Sequence, residues 1–265
     1  MIKKLVILAC ISVVVACVFV YKKRTYSTSS IAHYDDKPTK LKHLAIIMDG
    51  NRRWAKKNSL KPWLGHKQGI EPVKTTIEFC IKKKIPYLTL YAFSLENFKR
   101  SSDELDYLFN IIAKEVSDSY FDTLIKNNVR VRFIGRRSSF PQQLIENINA
   151  IEAKSAHNTG LTLNIMFCYG GRQELVDAIK NIVASGIMPE NITEDTIAQH
   201  LWTHDMPDPE LVIRTGYTHR LSNFLPYQSV YSELYFIDCY WPEITVEHLH
   251  KAVDYYESIE RNFGA

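Results

Sequence analysis

Residues 43–54, His-Leu-Ala-Ile-Ile-Met-Asp-Gly-Asn-Arg-Arg-Trp, put one carboxylate, Asp49, at the end of a short apolar run. Gly50 and Asn51 turn the chain, and Arg52, Arg53 and Trp54 begin a basic helix that continues through Lys56 and Lys57. A strand, a tight turn and a helix start are the parts of an anion site, because the first helical N–H groups are unpaired and the dipole favours negative charge. An acid at that point repels an anion unless a divalent cation stands between them. The residues therefore point to a Mg²⁺–diphosphate cradle. They also fit a buried strand leading into a solvated basic helix.

Four further groups carry polar chemistry. Ser94, Glu96, Asn97 and Arg100 follow the run Tyr91-Ala-Phe. Asn97 can position a group or relay a proton, and Arg100 can grip phosphate bidentately; Ser94 and Asn97 fit a capped helix entrance equally well. Arg214, Arg220, Leu221 and Ser222 surround Gly216, and paired arginines beside a serine suit a second diphosphate, since Arg offers planar forked donors. His66, in Gly-His-Lys, is either a surface histidine or a contact to a leaving group that gains charge. Glu233 stands at the entry to an apolar run, where a carboxylate pairs with an arginine or holds a metal.

The elements needed to position these groups are legible. Short apolar or β-branched runs at 44–48, 87–93, 129–134, 161–167, 211–214 and 233–237 read as buried parallel strands. Helical patterns fall at 69–84, 103–127, 141–156, 172–185, 193–202 and 245–262, with start signals at Ser102-Asp103-Glu104, Pro141 and Thr193-x-x-Thr196. The alternation implies an α/β fold, a central parallel sheet of about six strands flanked by helices. Asp49, the 94–100 group, Gly170-Gly171-Arg172 and Arg214-Thr215-Gly216 all follow strands, and ligands of open parallel sheets bind at the carboxyl ends of strands.

Bulk properties bound the rest. The 265 residues fit one domain plus an appendage, and the net charge of +4, without a long basic block or zinc-finger spacing, argues against nucleic acid. Five scattered cysteines read as free thiols in a reducing compartment. Leu5–Tyr21 is apolar throughout and flanked by Lys3-Lys4 and Lys22-Lys23-Arg24. Residues 1–24 therefore read as an uncleaved N-terminal hydrophobic helix rather than a signal peptide, with the globular part facing the cytosol. Residues 25–41 read as a tether and 42–265 as the catalytic domain.

Five blocks together resemble the cis-prenyltransferases, the family of undecaprenyl and dehydrodolichyl diphosphate synthases. They are His43 to Trp54, Gly65-His66, Leu88 to Asn97, Asn164 to Arg172, and Ile213 through Arg220-Leu-Ser-Asn-Phe-Leu to Glu233. The resemblance covers roughly residues 42–264. It implies a parallel sheet with an apolar tunnel and condensation of isopentenyl diphosphate onto an allylic diphosphate such as farnesyl diphosphate. The product is a long-chain polyprenyl diphosphate of dehydrodolichyl type, made at a membrane, by implication the endoplasmic reticulum. It further implies Mg²⁺ held by Asp49, with Glu233 and His219. Gly50, Asn51, Arg52, Arg53, Trp54, His66, Ser94, Glu96 and Arg100 fall to the allylic side, Asn97 to proton removal, and Arg214, Arg220, Leu221 and Ser222 to isopentenyl diphosphate. A noncatalytic accessory or lipid-diphosphate-binding subunit is the alternative. A phosphohydrolase would need a nucleophile motif or a Walker loop, and neither is found.

The chain departs from the family pattern at three places. Pro62 replaces an arginine, with Lys61 beside it as a point charge. Tyr217-Thr218 replaces a small residue followed by an acid, and Asn262 stands where homodimeric members carry the arginine of an Arg-x-Gly motif that reaches the partner's site. Either Arg261 serves from one position away, in a homodimer, or another subunit of a heteromer supplies the arginine.

Overall fold

The computed structural model describes residues 37–116 and 119–261. Six strands form one parallel sheet: β1 (His43–Ile47), β2 (Tyr87–Ser94), β3 (Arg130–Ile134), β4 (Thr162–Tyr169), β5 (Leu211–Arg214) and β6 (Glu233–Phe236), in the order β3-β4-β2-β1-β5-β6. Each strand expected from the sequence is present, with ends moved by no more than two residues. The chain leaves β1 toward β2 and later returns past it to β5, so β1 lies where the two halves of the sheet meet. That is the place where open α/β sheets form a ligand crevice.

The helices are α1 (Asn51–Lys57), α2 (Gly65–Gln68), α3 (Ile70–Lys83), α4 (Ser102–Val116), α5 (Ser119–Lys126), α6 (Gln142–Ser155), α7 (Gly171–Ala184), α8 (Glu194–His200) and α9 (Val246–Ser258). The pattern expected over 103–127 is present as α4 and α5, on either side of residues 117–118. The final pattern stops at Ser258, four residues short of its expected end at 262. Start signals act as read: Asp103 and Glu104 occupy the first turn of α4, and Thr193 and Thr196 cap α8 reciprocally.

All five residues of β1 are buried, as a central parallel strand requires. Their alternation sends Leu44 and Ile46 into a large core on one face and Ala45 and Ile47 into a smaller one on the other. Polar residues inside the sheet bond to one another: His43 Nε2 lies 2.7 Å from Thr89 Oγ1, which also accepts from Asn164 Nδ2 at 3.2 Å. Burial holds the His43 pKa down at about 4. Cys80, Cys168 and Cys239 are buried thiols.

The larger core is hollow. A cavity of about 650 Å³ runs between the sheet and α3–α5, walled by Ile77, Leu108, Ile112, Val116 and Leu124 from the helices. Leu163, Ile165 and Phe167, alternate residues of β4, and Phe133 of β3 face them. Three of the α4 residues that pattern alone leaves between core and tunnel thus line a space, while Leu105 and Phe109 pack against the core. Among the described residues, no helix is long and apolar enough to cross a membrane; the expected anchor at 1–24, and residues 25–36 of the tether, lie outside the described residues.

Candidate active site

The cavity opens at the carboxyl ends of β1, β2 and β5, where Asp49, Asn51, His66, Ser94, Glu96, Asn97, Arg100, Arg214 and Ser222 line its mouth. Asp49 sits at the centre. Its Oδ1 accepts from the Gly50 N–H at 2.6 Å and lies 3.1 Å from Arg53 Nη2, and its Oδ2 accepts from Arg214 Nη2 at 2.8 Å. Its backbone carbonyl accepts from Thr215 Oγ1 at 2.7 Å and from the Trp241 N–H at 2.9 Å, which fixes the main chain beneath the carboxylate. Gly50 takes φ +106, and a Cβ there would come within 2.7 Å of the Tyr240 ring. The turn therefore needs glycine on both counts. Arg53 and Arg214 bring positive charge directly against Asp49 at this rim.

Arg214 joins the two sides of the mouth. It is buried, and while Nη2 grips Asp49, Nη1 donates to Ser222 Oγ at 2.8 Å and to the Arg220 carbonyl. The loop carrying Ser222 is held by Asn223, whose amide donates to Glu96 Oε1 at 2.6 Å and to Gln173 Oε1 at 3.0 Å, and accepts from the Arg172 N–H at 2.8 Å. Arg220 is exposed on the rim, and Leu221 packs into the smaller core. Asn97 Oδ1 accepts from the Ser94 N–H at 3.2 Å, so the capping reading holds while both residues still line the cavity. Trp54 is half-buried on α1 and is absent from the cavity wall.

Glu104 is the residue that sequence reasoning missed. Buried in the first turn of α4, its Oε1 lies 3.3 Å from Arg100 Nη1, 3.4 Å from Arg52 Nε and 3.8 Å from His66 Nε2. The i,i+4 spacing of Arg100 and Glu104 is the signal that could have found it. Burial, with Arg100 and Arg52 nearby, holds the His66 pKa down at about 3, so Glu104 meets a neutral imidazole. A second buried carboxylate, Glu174, accepts from Tyr169 Oη at 2.6 Å, Thr203 Oγ1 at 2.9 Å and Gln228 Nε2 at 3.0 Å. It supports the 222–229 loop from behind.

Other expected residues are not brought together. Glu233 begins β6 opposite Leu211, whereas the mouth lies beyond Arg214 and Phe236 at the other end of those strands. Three residues of parallel strand put it about 10 Å from that rim. His219 is exposed, 3.9 Å from Asp238 and edge-on to Phe236. The set Asp49, Glu233 and His219 is thus not assembled within one chain, and among the described residues no group of three His, Cys, Asp or Glu side chains could hold a metal. Lys61 lies over the Trp63 ring. Arg261 donates to the Tyr231 carbonyl at 2.7 Å and lies 3.6 Å from Glu210, at the amino ends of β5 and β6, away from Asp49. Asn262 lies outside the described residues.

The family described as "putative undecaprenyl diphosphate synthase" matches residues 47–264. An isoprenyl transferase of Neisseria meningitidis serogroup B is 43% identical over 223 residues, 84% of this chain and 89% of the relative. An isoprenyl transferase of Clostridium perfringens is 41% identical over 93% of this chain and 98% of its own length. Lavandulyl diphosphate synthase from Lavandula x intermedia, solved with dimethylallyl diphosphate, superposes with a TM-score of 0.81 at 33% identity, covering 85% of this chain and 98% of that one. A probable undecaprenyl diphosphate synthase from Campylobacter jejuni gives 0.72 at 34%, covering 85% and 99%. With its all-parallel sheet, arginine-lined mouth and apolar cavity, the chain belongs to the undecaprenyl diphosphate synthase family, the cis-prenyltransferases, and is a prenyltransferase enzyme.

Proposed function

We propose that this chain elongates an allylic diphosphate such as farnesyl diphosphate with isopentenyl diphosphate, forming Z double bonds and a long-chain polyprenyl diphosphate of dehydrodolichyl type. The observation that carries the reading is the polar mouth, with arginines on both sides of one carboxylate, opening into a cavity of about 650 Å³ with apolar walls. Asn51, Arg52, Arg53, His66 and Arg100 would receive the allylic diphosphate, and Arg214, Arg220 and Ser222 the isopentenyl diphosphate. The allylic C–O bond breaks, its electrons leave with the diphosphate, the isopentenyl double bond supplies the new C–C bond, and one proton is lost. Arginines aimed at the departing oxygens lower the cost of that charge. Asn97, whose Oδ1 accepts from the Ser94 N–H, would orient the proton-losing group, and the apolar walls would shelter the growing chain from water.

Asp49 fits a magnesium ion, which takes one or two carboxylates and completes its shell with substrate phosphates and water rather than an all-protein cage. When bound, the ion neutralises diphosphate charge as the leaving group departs. Arg53 and Arg214 contact the Asp49 oxygens at 3.1 and 2.8 Å, so they hold the carboxylate oriented where the ion would bind.

The tie of Arg261 to Glu210 and Tyr231 supports an arginine supplied from another subunit, and favours a heteromer with an Arg-x-Gly-bearing chain over a homodimer served by Arg261. The apolar run at 5–21 supports attachment to a membrane, the endoplasmic reticulum by the dolichol reading, with the catalytic domain in the cytosol. The test is incorporation of radiolabelled isopentenyl diphosphate with farnesyl diphosphate and Mg²⁺, by the chain alone and with a candidate partner. Long-chain product supports the reading. No product under either condition refutes it in favour of a noncatalytic subunit, and full activity of the chain alone refutes the requirement for a partner.

A further inference from the structure

Arg53 lies in a slot. Its Nη2 contacts Asp49 Oδ1 at 3.1 Å, and on another side it passes Gly216, where an added Cβ would come within 2.7 Å of that nitrogen. A third side is the Tyr240 ring, whose centroid is 5.7 Å from the guanidinium carbon. The same ring carries the Lys57 ammonium at 5.7 Å, and Lys57 also meets Glu243 at 3.4 Å. With 43% of its side chain exposed, Arg53 would gain little order from the Asp49 ion pair alone.

Tyr240 is itself held on several sides. Gly50 packs against its Cδ1, its N–H donates to Glu243 Oε2 at 3.0 Å, and the next residue, Trp241, donates to the Asp49 carbonyl. Tyr217 meets the ring edge-on, with centroids 5.2 Å apart at 71°. To do so Tyr217 adopts φ +55, a left-handed conformation that a small residue accepts more easily. Tyr217 stands where the family pattern has a small residue, so the strained aromatic is a feature of this chain, and strain of this kind collects at functional sites.

We propose that Tyr217 and Tyr240 form an aromatic bracket that fixes Arg53 beside Asp49, making both tyrosines positioning residues for the allylic diphosphate. The identity of that anion rests on the proposed function; the bracket does not. The ring faces present negative charge to Arg53 and Lys57, so the part that matters is the ring and not its hydroxyl.

The test compares Tyr240→Leu, Tyr240→Phe and Tyr217→Gly in the full chain, with kcat and KM for each substrate, thermal melting, and calorimetric titration with inorganic pyrophosphate and Mg²⁺. Losing the ring under two cations raises KM for farnesyl diphosphate by about three- to fivefold in Tyr240→Leu. The KM for isopentenyl diphosphate stays put, and Tyr240→Phe restores the wild-type value. Tyr217→Gly, an exposed position that folding tolerates, shifts the same constant less. Equal changes in both KM values, an unchanged allylic KM, or a Tyr240→Phe enzyme as weak as Tyr240→Leu would overturn the bracket. If the wild-type chain does not turn over even with a candidate partner added, the proposed function fails, and the titration alone decides: weakened pyrophosphate binding in Tyr240→Leu supports the bracket and unchanged binding overturns it.

Discussion

Replacing Arg214 with lysine keeps the charge and removes the fork. In the native chain one nitrogen grips Asp49 Oδ2 at 2.8 Å while the other donates to Ser222 Oγ at 2.8 Å and to the Arg220 carbonyl, in a site only 5% exposed. A lysine ammonium that reaches Asp49 cannot also hold the 220–222 loop. Hydrogen bonds to a charged group are worth about 1.5–3 kcal/mol each, and the ammonium regains part of one. The net loss is about 2–3 kcal/mol, or roughly 30- to 150-fold in kcat/KM at about 1.4 kcal/mol per decade. The assay varies radiolabelled isopentenyl diphosphate at saturating farnesyl diphosphate, with thermal melting in parallel. The loss falls mainly on the isopentenyl diphosphate KM, because the loop is the part released. A kcat/KM within about threefold of wild type in a folded Arg214→Lys protein would refute the claim that this fork couples the two halves of the mouth.

Three further outcomes follow from the same geometry. Glu104→Gln leaves Arg52 and Arg100 without their buried counter-charge; breaking a buried pair costs about 3–5 kcal/mol, less here because Arg52 is half exposed. A melting point lowered by several degrees and a raised allylic KM are expected, and an unchanged enzyme contradicts it. Since His66 and His43 are held down to about 3 and 4, each binds its proton in the unfolded chain before it does in the folded one. Stability therefore falls as pH drops below about 6.5, by about 1.4 kcal/mol per unit for each histidine, until the folded-state values are reached. Melting between pH 7 and 5 checks this, and His66→Asn should flatten the slope. Ile112→Trp fills part of the cavity from α4 and shortens the products seen by reversed-phase chromatography, whereas an unaltered distribution would mean the chain grows elsewhere.

The strands were legible because buried parallel strands are short, apolar and bounded, and Asp49, Arg100 and Arg214 because each ends or follows one of them. Glu104 was not, since an acid in the first turn of a helix has an ordinary capping explanation until folding brings Arg52 and His66 against it. The wall of the cavity was not legible either: Leu108, Ile112 and Val116 share an apolar stripe with Leu105 and Phe109, and periodicity cannot say which of them faces a void. Glu233 stood at the start of its strand in the sequence too. Family likeness drew it toward the metal, but a parallel strand sets its first and last residues at opposite edges of the sheet. Tyr240 carried no signal at all, because its role depends on Gly50 and Gly216 closing around Arg53.

Chemistry happens at Asp49, where two arginines converge over the mouth of an apolar cavity. The most direct measurement is incorporation of radiolabelled isopentenyl diphosphate into organic-extractable product with farnesyl diphosphate and Mg²⁺, in the presence of any required partner, comparing wild type with Asp49→Ala. The wild type is expected to elongate, and a folded Asp49→Ala protein to lose about 100-fold or more. Elongation at the wild-type rate without the Asp49 carboxylate would contradict that expectation.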